Sequence, residues 1–383
     1  RFASIHVVGS NGKTSVARMT TALLDAHGAT AGAYLSPHIE SWRERIVIGG
    51  ESISEQAFAR ALERAEQAAE VADRSASDEE GPVTQFELLT AAAFLALAAA
   101  KIKVGVIEAG LGGRLDATNV IPSRATVLTS VGLEHTDWLG DTTEKIAAEK
   151  LAVLRDHTTL VCGEVPAEVR PLVEAEAARR HARLLRPRPV SRTQAPGLPG
   201  YQRRNMGLAL SAAEVVLGDL RSEAVRAAID TLSSSGLAGR AETIPGSPIV
   251  ILDAAHNADG ARALAATLPE LSERGRAVCC FALLEGKDAA AMAAALAPVC
   301  DAVVCTEVAE EAIAAGGRPG GRAQPAASLA ALFDAEGVVA EAVPDPAAAL
   351  TRAMERAREA QLPVLVTGSH FLISSARRAL AQA

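Results

Sequence analysis

The chain has 383 residues, 49% of them apolar and 22% charged, which is length and apolar content enough for two or three domains with sizeable cores. A formal charge of -8 argues against a dedicated nucleic-acid binder, which presents a basic face, but leaves nucleotides open. The longest apolar run, "LLTAAAFLALAAA", is 13 residues and too short for a membrane span.

Residues 4–8, "SIHVV", read as a buried strand, and Val16, Met19, Leu23 and Leu24 fall at helical spacing after it. Between them lies Gly9-Ser10-Asn11-Gly12-Lys13-Thr14-Ser15. Such a strand–loop–helix passage makes a phosphate cradle: small residues turn backbone N–H groups inward, the helix start adds positive potential, and Lys13 adds a charge. A full phosphate-loop motif places a glycine where Val7 stands, so the match is the shorter Gly9-x-x-Gly12-Lys13-Thr14. A plain strand–turn–helix joint is the alternative.

Helices are predicted over 54–72 and 87–101, with an acidic loop, "DRSASDEEGP", over 73–82. "VGVIEAG" (104–110) and "RATVLTSV" (124–131) read as buried strands. Sheets of this kind bind ligands at the carboxyl ends of their strands, which singles out Glu108 after the first and Glu134, His135 and Asp137 after the second. Glu108 suits a magnesium ion near phosphates; a glycine-rich turn capped by Asp116 is the other reading of 108–119. His135 is a metal ligand or a hydrogen-bonded turn histidine. Asp141 or Thr142 caps the helix that follows. "RPRPVSRTQAPGLPGY" (186–201) reads as a solvated connector.

From about residue 240, five more strand candidates alternate with helices, ending at "LPVLVTGS". The expectation is α/β throughout: two domains with mostly parallel sheets, the first of phosphate-loop ATPase type over 1–238, the second smaller and Rossmann-like over 239–383, with the boundary inside 236–246. "VILDAAHN" puts Asp253 and His256 at a strand end, as site residues or as a buried cap. Five cysteines without zinc-type spacing read as buried thiols in a reducing cytoplasm. The chain opens on Arg1 rather than Met, so sequence before it is expected.

Eight stretches, in order, carry a resemblance: "HVVGSNGKTSVARM", "SPHIESWRERIVIGGESIS", "TQFELLTAAAFLALA", "IEAGLGGRLDATNVI", "SVGLEHTDWLGDTTEKIAAEK", "GLAGR", "LDAAHN" and "TGSHFLI". Together they resemble the folylpolyglutamate synthase and dihydrofolate synthase family within the wider Mur-ligase group. The resemblance implies an ATP-dependent carboxylate–amine ligase: ATP phosphorylates a carboxylate of dihydropteroate or a folate, and the amine of L-glutamate attacks the acyl phosphate. It implies a nucleotide site of Gly9 to Ser15 with Gln202, Asn205, Arg240 and Asp253, and Lys13, Lys150 and His256 as catalytic residues. It implies magnesium, at two sites, on Ser36, Glu108 and His135, with Lys150 as a carbamate, and a pterin pocket of Thr84, Phe86 and Asp116. It implies a cytoplasmic monomer that engages neither nucleic acid nor membrane. Ser10, Thr14, Glu134, "EKLAVLR" and His370 depart from the residues usual in that family. A peptidoglycan-precursor ligase, a nucleotide-driven switch and a non-catalytic ATP-binding relative are the competing readings.

Overall fold

The β-branched runs of the sequence build two sheets, one in each of two compact units, in a computed structural model that describes residues 2–77 and 81–382. The first unit comprises Arg1–Ala195 with Gln202–Leu232, the second Pro196–Tyr201 with Ser233–Ala383. Among the described residues, no helix is long and apolar enough to cross a membrane.

The first sheet has eight strands: β1 (Ala3–Val8), β2 (Ala31–Tyr34), β3 (Ile46–Ile48), β4 (Glu51–Ser52), β5 (Val104–Glu108), β6 (Ala125–Leu128), β7 (Thr159–Cys162) and β8 (Arg183–Leu185). Their order is β4-β3-β2-β5-β1-β6-β7-β8. All pairings are parallel except β2–β3 and β3–β4. β1 is central, which is why "SIHVV" is buried on both faces: Ile5, Val7 and Val8 are wholly enclosed, and so is the polar His6. Its register with β5, Val7 against Glu108, brings the end of β5 level with the start of the glycine loop.

The helix expected over 54–72 is Glu55–Ser75, so the expected loop 73–82 starts later, and its residues 78–80 lie outside the described residues. The apolar helix is Gln85–Ala99; Ala92, Ala93 and Leu97 on it are fully buried. The expected strand 124–131 stops at Leu128, because Thr129 and Ser130 turn to hold the glycine loop.

The second sheet has six strands: β9 (Arg240–Ile244), β10 (Val250–Asp253), β11 (Ala277–Phe281), β12 (Cys300–Cys305), β13 (Val339–Ala342) and β14 (Val364–Thr367), in the order β13-β12-β11-β14-β10-β9. Five were expected. β9 falls inside the stretch 236–246 that was expected to hold the domain boundary, and it runs antiparallel to β10 at the sheet edge. Its sequence, "RAETI", lacks the apolar run of a central strand, which explains why it is not read as one. All five cysteines are free and buried.

Candidate active site

The phosphate-loop residues sit between β1 and the helix Lys13–Ala26. Gly9 has φ 146°, and a Cβ there would lie 1.9 Å from Thr129 Oγ1; Gly12 has φ 85°, and a Cβ would lie 2.7 Å from Asn205 Oδ1. Both positions therefore need glycine, for conformation and for space.

The loop is pinned from the neighbouring strand end. Ser10 N–H donates to Ser130 O at 2.9 Å, Asn11 N–H to Ser130 Oγ at 3.0 Å, and Thr129 Oγ1 to Asn11 O at 2.6 Å. Ser10 Oγ accepts from Gly132 N–H at 3.0 Å. The inward-turned N–H groups expected of Ser10 and Asn11 are thus taken by Ser130. The cradle begins one step later, at the helix start, where no side chain caps the first turn. Ser15 Oγ there is buried with no hydrogen-bond partner, an orphan of the kind a bound group satisfies. Lys13 Nζ folds back on Gly9 O at 2.9 Å, an exchangeable contact.

Glu108 ends β5 and is buried. Its Oε1 accepts from Thr14 Oγ1 at 3.0 Å, and its Oε2 from the backbone N–H of Ser36 at 3.1 Å. Three of the residues named from sequence therefore meet, although Ser36 arrives through its backbone. His135 begins the turn Thr136–Leu139 with φ 47° and is exposed. Among the described residues, no group of three or more His, Cys, Asp or Glu gathers to hold a metal alone. A hard carboxylate beside a hydroxyl is nevertheless the donor set that magnesium shares with substrate phosphates.

Lys150, from the helix Thr143–Leu151, and Glu134 form a buried ion pair, Nζ to Oε1 at 2.7 Å, with their side chains 2% and 6% exposed. Burial alone would raise Glu134, but Lys150 and then Lys13 outweigh it and hold its carboxyl at about 2. Burial lowers the proton affinity of Lys150, with Glu134 opposing. Thr142 caps this helix, its side chain accepting from Lys145 N–H.

Of the expected pterin residues, Thr84 is the exposed N-cap of Gln85–Ala99, in a capping box with Glu87. Phe86 lies against Gly110 and 6.1 Å from the Tyr34 ring. Asp116 is already filled from its own loop: Oδ2 accepts from Gly110 and Leu111 N–H, each at 2.8 Å, and Oδ1 from Thr118 N–H and Oγ1. The turn-capping alternative describes this geometry.

Gln202 and Asn205 are buried on one face of Gly200–Leu217, with Asn205 Nδ2 donating to Gln202 Oε1 at 3.0 Å and Asn205 beside Gly12. Sequence reasoning missed Thr129 and Ser130, and also Arg45. Arg45 is buried, donates from Nε to His38 Nδ1 at 3.0 Å and lies over Trp42. "SWRER" was its only local signal.

In the second unit, Asp253 ends β10 and is buried. Its Oδ2 accepts from Ala241 N–H at 2.8 Å and from the Tyr201 hydroxyl, and its Oδ1 from Ala255 N–H at 2.9 Å. Burial raises its carboxyl above the usual range, against the pull of Tyr201 and Arg240. Arg240 is its register partner on β9. His256 follows, half-buried, with Nδ1 2.9 Å from Ala254 O, and Asn257 caps Ala258–Leu271.

Comparison with known proteins supplies an independent measure. Residues 7–163 match the Mur ligase middle domain, and residues 239–370 match the Mur ligase glutamate ligase domain. A Mycobacterium tuberculosis protein named dihydrofolate synthase/folylpolyglutamate synthase is 35% identical, the alignment covering 90% of this chain and 80% of the relative. A solved structure of Mycobacterium tuberculosis folylpolyglutamate synthase complexed with ADP superposes with a TM-score of 0.86 at 32% identity, covering 98% of this chain and 90% of that one. The Yersinia pestis bifunctional folylpolyglutamate synthase/dihydrofolate synthase, complexed with AMPPNP and Mn ion, gives 0.82 at 30% identity, covering 99% and 89%.

Proposed function

This chain belongs to the folylpolyglutamate synthase/dihydrofolate synthase branch of the Mur ligases, and from that premise we propose which residues carry its chemistry. It is an ATP-dependent ligase that joins L-glutamate to a folate-type carboxylate. A nucleotide and a divalent metal ion take part. The functional division we propose is a nucleotide domain over 1–238 and a glutamate-ligase domain over 239–383.

The observation that carries the assignment is the meeting of Thr14, Ser36 and Glu108 beside an uncapped helix start. Phosphoryl transfer needs positioning and charge neutralisation more than covalent help from protein. Lys13 exchanges its contact with Gly9 O for the β- and γ-phosphate oxygens, joined by the N–H groups of Gly12 to Ser15. Gly9, Ser10 and Asn11 hold the loop's shape against Thr129 and Ser130. Gln202 and Asn205 take the adenine side. Glu108, Ser36 and His135 would hold a magnesium ion, whose charge would offset that of the phosphate oxygens. In the second unit, Arg240 and Asp253 are assigned to nucleotide binding and His256 to catalysis.

Lys150 is the proposed carbamate and support of a second metal site. Burial favours its neutral amine, the form that takes up carbon dioxide. The carbamate would be an anion facing the Glu134 anion, and a metal ion held beside Lys150 would offset that repulsion. Thr84 and Phe86 line the proposed pterin pocket, with Phe86 stacking on the ring. Asp116 shapes that pocket by holding the N–H groups of Gly110 and Leu111. The working form is a cytoplasmic monomer.

The test is coupled phosphate release with ATP, L-glutamate and one of three acceptors: dihydropteroate, tetrahydrofolate or a muramyl peptide precursor. Turnover with a folate-type acceptor is expected. Turnover with the muramyl acceptor alone would assign a peptidoglycan ligase instead. In the same assay Lys150→Ala falls about 100-fold and recovers in part with short carboxylates; full activity would remove the carbamate role.

A further inference from the structure

A buried line of polar groups runs behind the loop that follows Glu108. His6, on the central strand β1, is completely enclosed. Its Nε2 lies 2.8 Å from Thr118 Oγ1. Thr118 in turn reaches Asp116 Oδ1 twice, through its hydroxyl at 2.5 Å and its N–H at 2.9 Å. Asp116 Oδ2 receives the N–H groups of Gly110 and Leu111. His6 and Gly110–Leu111 are thereby joined through two side chains.

Counting hydrogens along this line fixes the histidine. A threonine hydroxyl has one hydrogen, and here it goes to the carboxylate. Thr118 Oγ1 must therefore accept from His6, so the imidazole carries its proton on Nε2. Nδ1 is left as a bare acceptor, and no partner reaches it. Burial, with Arg155 adding to it, holds this ring neutral, its pKa lowered to about 3. A histidine enclosed on a parallel strand between Ile5 and Val7 is costly unless its hydrogen bond does something a hydrocarbon could not.

We propose that His6, as the neutral Nε2–H tautomer, is a positioning residue for the acceptor: through Thr118 and Asp116 it sets the backbone of Gly110 and Leu111, and with it the wall on which Phe86 packs. Phe86 touches Gly110 so closely that a Cβ there would lie 2.4 Å from its ring. A shift of Gly110 therefore moves the ring. The glycine loop, by contrast, takes its own hydrogen bonds from Thr129 and Ser130. The inference rests on the folate-ligase reading for its kinetic consequence but not for its structural one.

Two variants separate the possibilities. His6→Leu removes the donor, and His6→Gln supplies an amide N–H near the position of Nε2. With His6→Leu, the KM for dihydropteroate is expected to rise about tenfold while the KM for ATP stays within about twofold. His6→Gln is expected to restore the acceptor KM to within about threefold of wild type. In parallel, hydrogen exchange of the 108–118 peptide should quicken about tenfold in His6→Leu and return in His6→Gln, whatever the acceptor. Unchanged exchange and unchanged acceptor KM in His6→Leu overturn the proposal. So does a rise in both KM values together that glutamine fails to correct, which marks a purely structural residue. Wild-type protein inactive with every folate acceptor overturns the ligase reading instead, and the exchange result then judges His6 by itself.

Discussion

Two strand ends of this molecule each bury a carboxylate, and they treat it in opposite ways. In the first unit Glu134 follows β6 and faces Lys150 and Lys13, so its proton affinity falls to about 2 despite burial. In the second unit Asp253 ends β10, where the Tyr201 hydroxyl, the Arg240 charge and two N–H groups all oppose burial, and burial wins, raising it. Burial pushes both upward; the two lysines overcome it at Glu134, whereas Arg240 and the hydrogen bonds do not at Asp253. The first unit thus stores a fixed negative charge beside its lysines. The second keeps a carboxyl whose proton affinity burial has raised.

The contrast is broken most severely by removing one charge. Glu134→Leu leaves the ammonium of Lys150 buried without its partner, and a loss of about 3–5 kcal/mol in urea unfolding is expected. Pairing Glu134→Leu with Lys150→Met should recover most of that loss, because a buried ion pair adds little net stability over a packed apolar pair. If the single variant unfolds at the wild-type midpoint, the two groups are not held as a buried pair.

A smaller effect is the opposite pH dependence of the two sites. The folded-state value of Glu134 is about 2 against an ordinary 4.5, so its stabilisation is complete above 4.5 and is lost as pH falls through about 2. For Asp253 the folded value lies above 3.8, so its contribution is present below 3.8 and disappears as pH rises through the raised value. Each slope is limited to about 1.4 kcal/mol per pH unit. Measured against Glu134→Gln, the wild-type advantage should shrink on acidification from 4.5 towards about 2; measured against Asp253→Asn, it should shrink as pH rises above 3.8. Parallel trends would show that both carboxylates are governed by the same force.

How legible these sites are from sequence follows the same division between local and distant causes. The β1–loop–helix passage is written in one continuous stretch: an apolar run, two glycines and helical spacing. Glu108 is legible because a strand end is a local feature. The Glu134–Lys150 pair spans 16 residues and two elements, so its members stand out separately but their union does not. Thr129 and Ser130 reach the glycine loop from 118 and 119 residues away, and Tyr201 reaches Asp253 across 52. Nothing in their own neighbourhoods announces it. β9 is hidden for another reason: an edge strand needs only one apolar face, and "RAETI" shows little alternation to read. Asp116 shows a limit of the opposite kind, since the residue is found but its carboxylate is already occupied by its own loop.

The nucleotide assignment in the first unit is decided most directly by a crystal grown with magnesium and a non-hydrolysable ATP analogue. The expected result is a triphosphate at the start of the helix Lys13–Ala26, with Lys13 Nζ turned from Gly9 O to its oxygens and the metal ion on Glu108. A triphosphate bound away from Lys13, with Glu108 still accepting from Thr14 and Ser36, would contradict it.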